Sequence, residues 1–292
     1  MSNYMVIAKC KNVELKLPIK CWYSFFNSPY PAHKSQSAVD IYFPTKEALL
    51  PVDEGHVLEV ERFECPGKRS DSEEYDYLIL IDLGEGLVTK ILHVKPKVNV
   101  GEKIFLGDYI GDLIVSGFFY SWSNLHMHLE IRSWNDPYRA LGAFKIDISP
   151  SLENFAKRIV DFPSNFTVKY MSNSYLWLQP YSAMHYPFGL ALRGRCGWGF
   201  IDGGIPHYGH GAFLNCNLNE NAPLMFHQDL IVGEVFFSCS SHSLFKPLRS
   251  PWIENVRLRG VGSYFNQPLL KAILLSGKTP FKCGDIVSLN FK

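Results

Sequence analysis

Residues 124–132 read NLHMHLEIR, with His126 and His128 one residue apart in an otherwise apolar run. In an extended chain, side chains at i and i+2 point to the same face. A strand here carries two imidazoles on one face and Met127, Leu129 and Ile131 on the other. An apolar strand that places two titratable rings side by side needs a polar partner or a metal for each. The stretch is therefore read both as a strand of a β-rich fold and as a candidate site.

Upstream the pattern is the same. VDIYF (39–43), HVLEVERF (56–63), YDYLILIDL (75–83), GLVTKILHV (86–94) and KIFLGDYIGDLIV (103–115) are β-branched, aromatic or alternating. Clusters such as CPGKRSDSEE (65–74) and DLGEG (82–86) punctuate them, and the first is expected to be an exposed hairpin loop. This spacing predicts a mainly β fold, an antiparallel sandwich or barrel.

ISPSLENFAKRIVDF (148–162) breaks the pattern. Ser149 can cap a helix, Pro150 suits its first position, and Leu152, Phe155, Ala156 and Ile159 recur at helical spacing. It is expected to be a linking helix between a first domain, 1–147, and a second β-rich domain, 148–292. In the second domain LLKAILLSG (269–277) fits a short helix or a buried strand. GWGFIDGGIPHYGHG (197–211) matches neither a dinucleotide fingerprint nor a P-loop and is read as a turn-rich loop, with His207 and His210 on the surface.

Composition narrows the function. At 292 residues, 47% hydrophobic and 20% charged, the chain is globular and long enough for two domains. A net charge of +1 argues against a nucleic acid as partner. No run of about 18 apolar residues predicts a membrane span, and the N-terminus carries no signal-peptide pattern. The seven cysteines are odd in number, with no pair at zinc-knuckle spacing, and are read as free thiols in a reducing compartment. These features together place the chain in the cytoplasm.

In chain order the first half holds AVDIYFP (38–44), LPVDEGHV (50–57), ILH (91–93), VNVGEKIFLGDYIG (98–111), LHMHLEIR (125–132) and DPYRALGAF (136–144). This ordered set, over roughly residues 30 to 145, resembles the lysostaphin and LytM type of zinc metallopeptidases. The resemblance implies a zinc site with Asp40 and His128 as ligands and with His93 and His126 as non-ligand histidines beside the metal-bound water. The family places its first ligand four residues before the aspartate, where this chain has Gln36. His33, on the same loop, is the histidine left to complete the metal set.

The function this implies is zinc-dependent hydrolysis of a peptide or amide bond, on a cell-wall-like or glycine-rich peptide. The alternative is a non-catalytic binding or scaffold protein that keeps the fold with a degenerate site. The V-x-x-G-x-x-[IV] stretch also occurs in lipoyl and biotinyl carrier folds, but no lysine occupies a hairpin tip in a matching motif. The second domain carries no recognisable chemistry of its own.

Overall fold

A computed structural model describes residues 3–155, 159, 161–181, 186–214, 216–239 and 241–292. The protein is mainly β with short helices, and it divides into two compact units. The first is Met1–Phe25 with Tyr30–Ser151, and the second is Phe26–Pro29 with Leu152–Lys292.

The first unit contains β1 (Tyr4–Cys10), β2 (Val13–Pro18), β3 (Trp22–Ser24), the single-turn helix α1 (Pro31–Lys34), β4 (Ala38–Tyr42), β5 (Glu47–Leu49) and β6 (Glu54–Glu64). It continues with β7 (Tyr75–Gly84), β8 (Leu87–Leu92), β9 (Val94–Pro96), β10 (Lys103–Phe105), β11 (Tyr109–Leu113) and β12 (Met127–Ser133). Seven strands form one sheet in the order β10-β6-β7-β8-β12-β4-β3. All its pairings are antiparallel.

β12, formed by the paired-histidine stretch, is central, and its two faces differ. Leu129 lies opposite Val39 on β4 and Ile91 on β8, and Ile91 lies opposite Ile79 on β7. All four are fully buried, and residues directly opposite share a face, so they make a continuous apolar band. The other face of β12 carries His128, Glu130 and Arg132, also buried. The segment after β12 covers that polar row: Arg132 Nε donates to Asp136 O at 2.8 Å and Arg132 Nη2 to Leu141 O at 2.8 Å. Further along this face Leu78, Leu80 and Val88 form a small apolar cluster with Leu58, Phe63 and Leu92.

CPGKRSDSEE connects β6 to β7, as expected of a hairpin loop. It is anchored rather than free: Lys68 N donates to Gly117 O and Glu73 N to Val115 O, both at 2.9 Å. In the glycine-spaced motif, Gly111 lets β11 lie against β9, since a Cβ there would sit 2.2 Å from Lys95 O.

α2 (Ser149–Asn154) is shorter than the helix expected over 148–162. Phe155 is a turn residue and Ile159 is not helical, while Ala156, Lys157, Arg158 and Val160 lie outside the described residues. Its start is held by Asp147, whose carboxylate accepts from Ser149 N at 2.9 Å, so Asp147 caps where Ser149 was expected to.

The second unit continues with β13 (Asn165–Met171), β14 (Tyr175–Pro180), β15 (Ala191–Gly194), β16 (Gly197–Ile205), β17 (Gly211–Leu214), β18 (Pro223–Phe226), β19 (Leu230–Ser238) and β20 (His242–Pro247). It ends with β21 (Pro251–Ile253), β22 (Val256–Tyr264), β23 (Gln267–Leu274) and β24 (Ile286–Phe291). The order β22-β21-β24-β13-β14-β23 returns to β22 and closes a six-strand barrel. β24 alternates as barrel walls do, burying Val287, Leu289 and Phe291 and exposing Ile286 and Asn290.

In this half the structure decides one open reading and changes two. LLKAILLSG resolves largely to strand, as β23. GWGFIDGG is strand, not loop, because its glycines permit close approach: a Cβ on Gly199 would lie 2.4 Å from Phe213 Cζ and 2.5 Å from Leu214 O. His210 is correspondingly buried instead of lying on the surface. Finally, Cys196 and Cys216 form a disulfide, so the seven cysteines are not all free thiols. The β16–β17 register, Ile201 opposite Phe213, brings the chain beyond Leu214 back beside the β15–β16 turn that holds Cys196. Zinc-knuckle spacing is blind to such a pair, which is 20 residues apart in sequence.

Candidate metal centre

Strand register brings the first two site residues together. Asp40 on β4 lies directly opposite His128 on β12, so both side chains rise from the same face. Their contact is direct, with His128 Nδ1 2.9 Å from Asp40 Oδ1.

His33 arrives by a different device. Tyr30 O accepts from His33 N, and the single turn α1 then closes with Gln36 N donating to His33 O and Ser37 N to Ala32 O. These two bonds are the paired 5→2 and 6→1 bonds of a Schellman ending, which needs a left-handed residue between helix and strand. Gln36 is that residue, at φ 58°. Its side-chain Nε2 donates to Ile146 O and its carbonyl accepts from Ile146 N, both at 2.8 Å. Gln36 therefore holds the loop in place and faces away from the site, while the helical turn supplies the extra length that delivers His33.

The result is a buried triangle of donor atoms. His33 Nε2 lies 3.1 Å from Asp40 Oδ1 and 3.2 Å from His128 Nδ1, closing on the 2.9 Å edge already described. Ligands placed at about 2.0–2.1 Å around a tetrahedral zinc are about 3.3 Å apart, close to these edges. Among the described residues, His33, Asp40 and His128 are the one group of three or more such side chains able to hold a metal.

The outer contacts fix which nitrogens face inward. His33 Nδ1–H donates to Phe25 O at 2.8 Å, leaving Nε2 to carry the lone pair in the neutral ring. His128 Nε2–H donates to Glu130 Oε1 at 3.1 Å, which leaves Nδ1 for the triangle. Glu130 is itself held by Arg132 Nη1 at 2.5 Å and neighbours Lys90 Nζ at 3.8 Å. A carboxylate behind a ligating imidazole orients the ring and raises its basicity.

The other two histidines stand beside the triangle. His126 Nδ1–H donates to Asn124 O at 2.8 Å, and its Nε2 is 3.6 Å from Asp40 Oδ2. The His126 ring stacks on Phe119, with centroids 4.4 Å apart. His93 follows β8 in a left-handed conformation, φ 69°, and its ring centroid is 5.4 Å from that of His126 and 6.2 Å from that of His128. Leu92, the last residue of β8, lies opposite His128 on the site face, so a continued strand would turn His93 to the apolar side. The left-handed residue keeps it on the site face.

Behind His93 stands Asp76, whose carboxylate meets four donors. Oδ1 accepts from Tyr77 N at 2.7 Å and His93 N at 3.1 Å; Oδ2 accepts from His93 Nδ1 at 2.6 Å and Ser116 Oγ at 2.5 Å. Asp76 and Ser116 are fully buried.

Electrostatics follow from this packing. Burial alone would raise the Asp40 pKa, but the three histidines packed around its carboxylate, His33, His126 and His128, hold it well below the ordinary carboxylate value. Burial would lower His128, yet its bonds to Asp40 and Glu130 outweigh this and push it up to about 9. His126 is dominated by burial, with Asp40 only partly offsetting it, and is pushed down to about 4. Glu130 and Asp76 are lowered, their burial outweighed by His128 and by His93 respectively.

The structure thus gathers all five sequence candidates, His33, Asp40, His93, His126 and His128, in one place. Sequence reasoning missed Asp76, Ser116, Arg132 and Lys90. Asp76 left one trace: it is a carboxylate at alternating spacing with Leu78 and Leu80, on a run otherwise made for burial.

Residues 16–148 match a family described as the N-terminal domain of DUF8155, a domain of unknown function. No curated protein matches the chain. Among solved structures, the solution structure of lysostaphin aligns over 87% of each chain, at 13% identity and a TM-score of 0.26. The matched family segment spans every residue of the centre, from His33 to Arg132.

Proposed function

We propose that the first unit is a zinc-dependent hydrolase of a peptide or amide bond, with His33, Asp40 and His128 as the protein ligands. The observation that carries this reading is the buried triangle of donor atoms, 2.9–3.2 Å on its edges, with both imidazoles fixed in the ligating tautomer from behind. Two neutral nitrogens and one carboxylate oxygen are the donor set of a catalytic zinc site that keeps a fourth position for water. When bound, zinc supplies a water of near-neutral pKa and polarises the scissile carbonyl.

The chain's own residues do the rest. His93 and His126 stand beside the triangle without joining it, which suits them to accept the water's proton. Phe119 and Tyr42 flank the His126 ring, at 4.4 Å and 5.2 Å, and keep it oriented and partly dry. The substrate implied by the motif resemblance is a glycine-rich or D-alanine-containing peptide.

The test begins with metal content. Purified protein dialysed against zinc is expected to hold about one ion per chain, lost in His33→Ala and in His128→Ala. Cleavage of glycine-rich and D-alanine-containing peptides is expected to stop with a chelator, and to stop in His93→Ala while zinc is retained. A protein that takes up no zinc overturns the reading. One that keeps zinc yet cleaves nothing in the panel leaves the binding-protein alternative in its place.

A further inference from the structure

We infer that Asp76, braced by Ser116, is a positioning residue that fixes the tautomer of His93 and aims its Nε2 lone pair at the metal centre. The inference deepens the hydrolase reading by naming which histidine is built to accept a proton. It rests on the geometry around one carboxylate.

All four hydrogen bonds to Asp76 arrive from donors. Tyr77 N and His93 N are backbone amides and can only donate, and both bind Oδ1. On Oδ2, Ser116 Oγ lies at 2.5 Å and His93 Nδ1 at 2.6 Å. An ionised carboxylate only accepts, so the His93 nitrogen facing it carries the hydrogen. In the neutral ring the other nitrogen, Nε2, must then hold a lone pair. The same His93 residue donates both its backbone amide and its ring to Asp76, so the carboxylate also locks the left-handed turn that brings the ring to the site face.

His126 is built differently. Its Nδ1 meets a backbone carbonyl, Asn124 O, and no carboxylate. A carboxylate behind an imidazole stabilises the imidazolium formed when the ring takes a proton. The carboxylate therefore assigns proton acceptance to His93.

Asp76→Asn is the decisive substitution because its orientation is forced. The amide nitrogen cannot face the two backbone amides at the Oδ1 position, since donors would oppose donors. It must take the Oδ2 position, where Ser116 can rotate to accept but His93 Nδ1 must lose its hydrogen. The variant is expected to move the His93 hydrogen from Nδ1 to Nε2.

Nitrogen-15 NMR of the histidine rings reads this directly, in the zinc-free and the zinc-loaded full-length protein. Expected are an Nδ1–H ring for His93 in the native chain, a reversed tautomer in Asp76→Asn by about tenfold or more, and unchanged zinc content. On any peptide that the native enzyme cleaves, kcat is expected to fall about 10²–10⁴-fold with KM unchanged. Ser116→Ala, which keeps the carboxylate, is expected to retain the Nδ1–H tautomer. An Nε2–H ring in the native protein overturns the inference even if Asp76→Asn does not fold, and so does an unchanged tautomer in a folded Asp76→Asn. Failure to bind zinc overturns the hydrolase reading but leaves the tautomer measurement to decide this one.

Discussion

At the scale of single residues, the centre without metal is held by protons. His128, pushed up to about 9, bears a proton on Nδ1 directed at Asp40 and another on Nε2 directed at Glu130. Its folded value lies above the ordinary histidine value. The stabilisation it gives the metal-free fold is therefore complete below about pH 6.5 and is lost as pH rises toward 9. Metal binding must displace the Nδ1 proton. Calorimetric titration with zinc at pH 7.5, in buffers of different ionisation enthalpy, is expected to show release of about one proton per ion. Release of none would mean His128 is already neutral. Glu130→Gln, which removes the carboxylate behind His128, is expected to weaken zinc binding about 10–100-fold, measured by competition with a chelator of known affinity. Asp40, His93, His126 and His128 were legible in the sequence because period-two spacing and motif order mark them, and His33 because it is the histidine nearest the motif position that Gln36 occupies. Asp76 and Lys90 were not, because each is chosen by a partner more than fifteen positions away and only strand register brings them together.

At the scale of elements, the single turn of α1 decides how the first ligand reaches the centre. Gln36 occupies the place the motif resemblance gives to a histidine, but it is the left-handed residue of the helix ending and is bound to Ile146. His33→Ala combined with Gln36→His is therefore expected to bind no zinc by metal analysis. Recovery of a full equivalent would show that the loop can re-form without the turn. The sequence could not reveal this, since four residues are too few for a visible helical period. The strands were easier to read because alternation repeats along each of them, and β12 shows it most clearly. Its apolar face is expected to be costly to open: Leu129→Ala should lose about 2–5 kcal/mol in a denaturant titration. In the second unit the glycines of β16 hid a strand, because turns favour glycine and so do close approaches. The Cys196–Cys216 bridge escaped for a related reason, being set by register across β16 and β17. Replacing both cysteines by serine is expected to lower stability by about 3 kcal/mol for a loop of this length, and a reductant should lower the melting temperature of the native chain in the same way.

At the scale of the whole molecule, the chain does not visit its two units one after the other. Phe26–Pro29 belongs to the second unit, although it lies between β3 and α1 of the first. Phe26 N donates to Asp202 Oδ2 at 3.2 Å and Asn27 Nδ2 to Ser263 O at 3.4 Å. No pattern in 292 residues signals such an excursion, because four residues carry too little periodicity to be assigned to either unit. A boundary drawn as one point on the sequence, at 147/148, misses it. The practical meaning is that scissors cannot cut this protein into its parts. A fragment ending at residue 151 would lose the bonds of Phe26 to Asp202 and of Asn27 to Ser263, a few positions before the helix that presents His33. Such a fragment is expected to hold zinc less tightly than the full chain in chelator competition, even though it contains every residue of the centre.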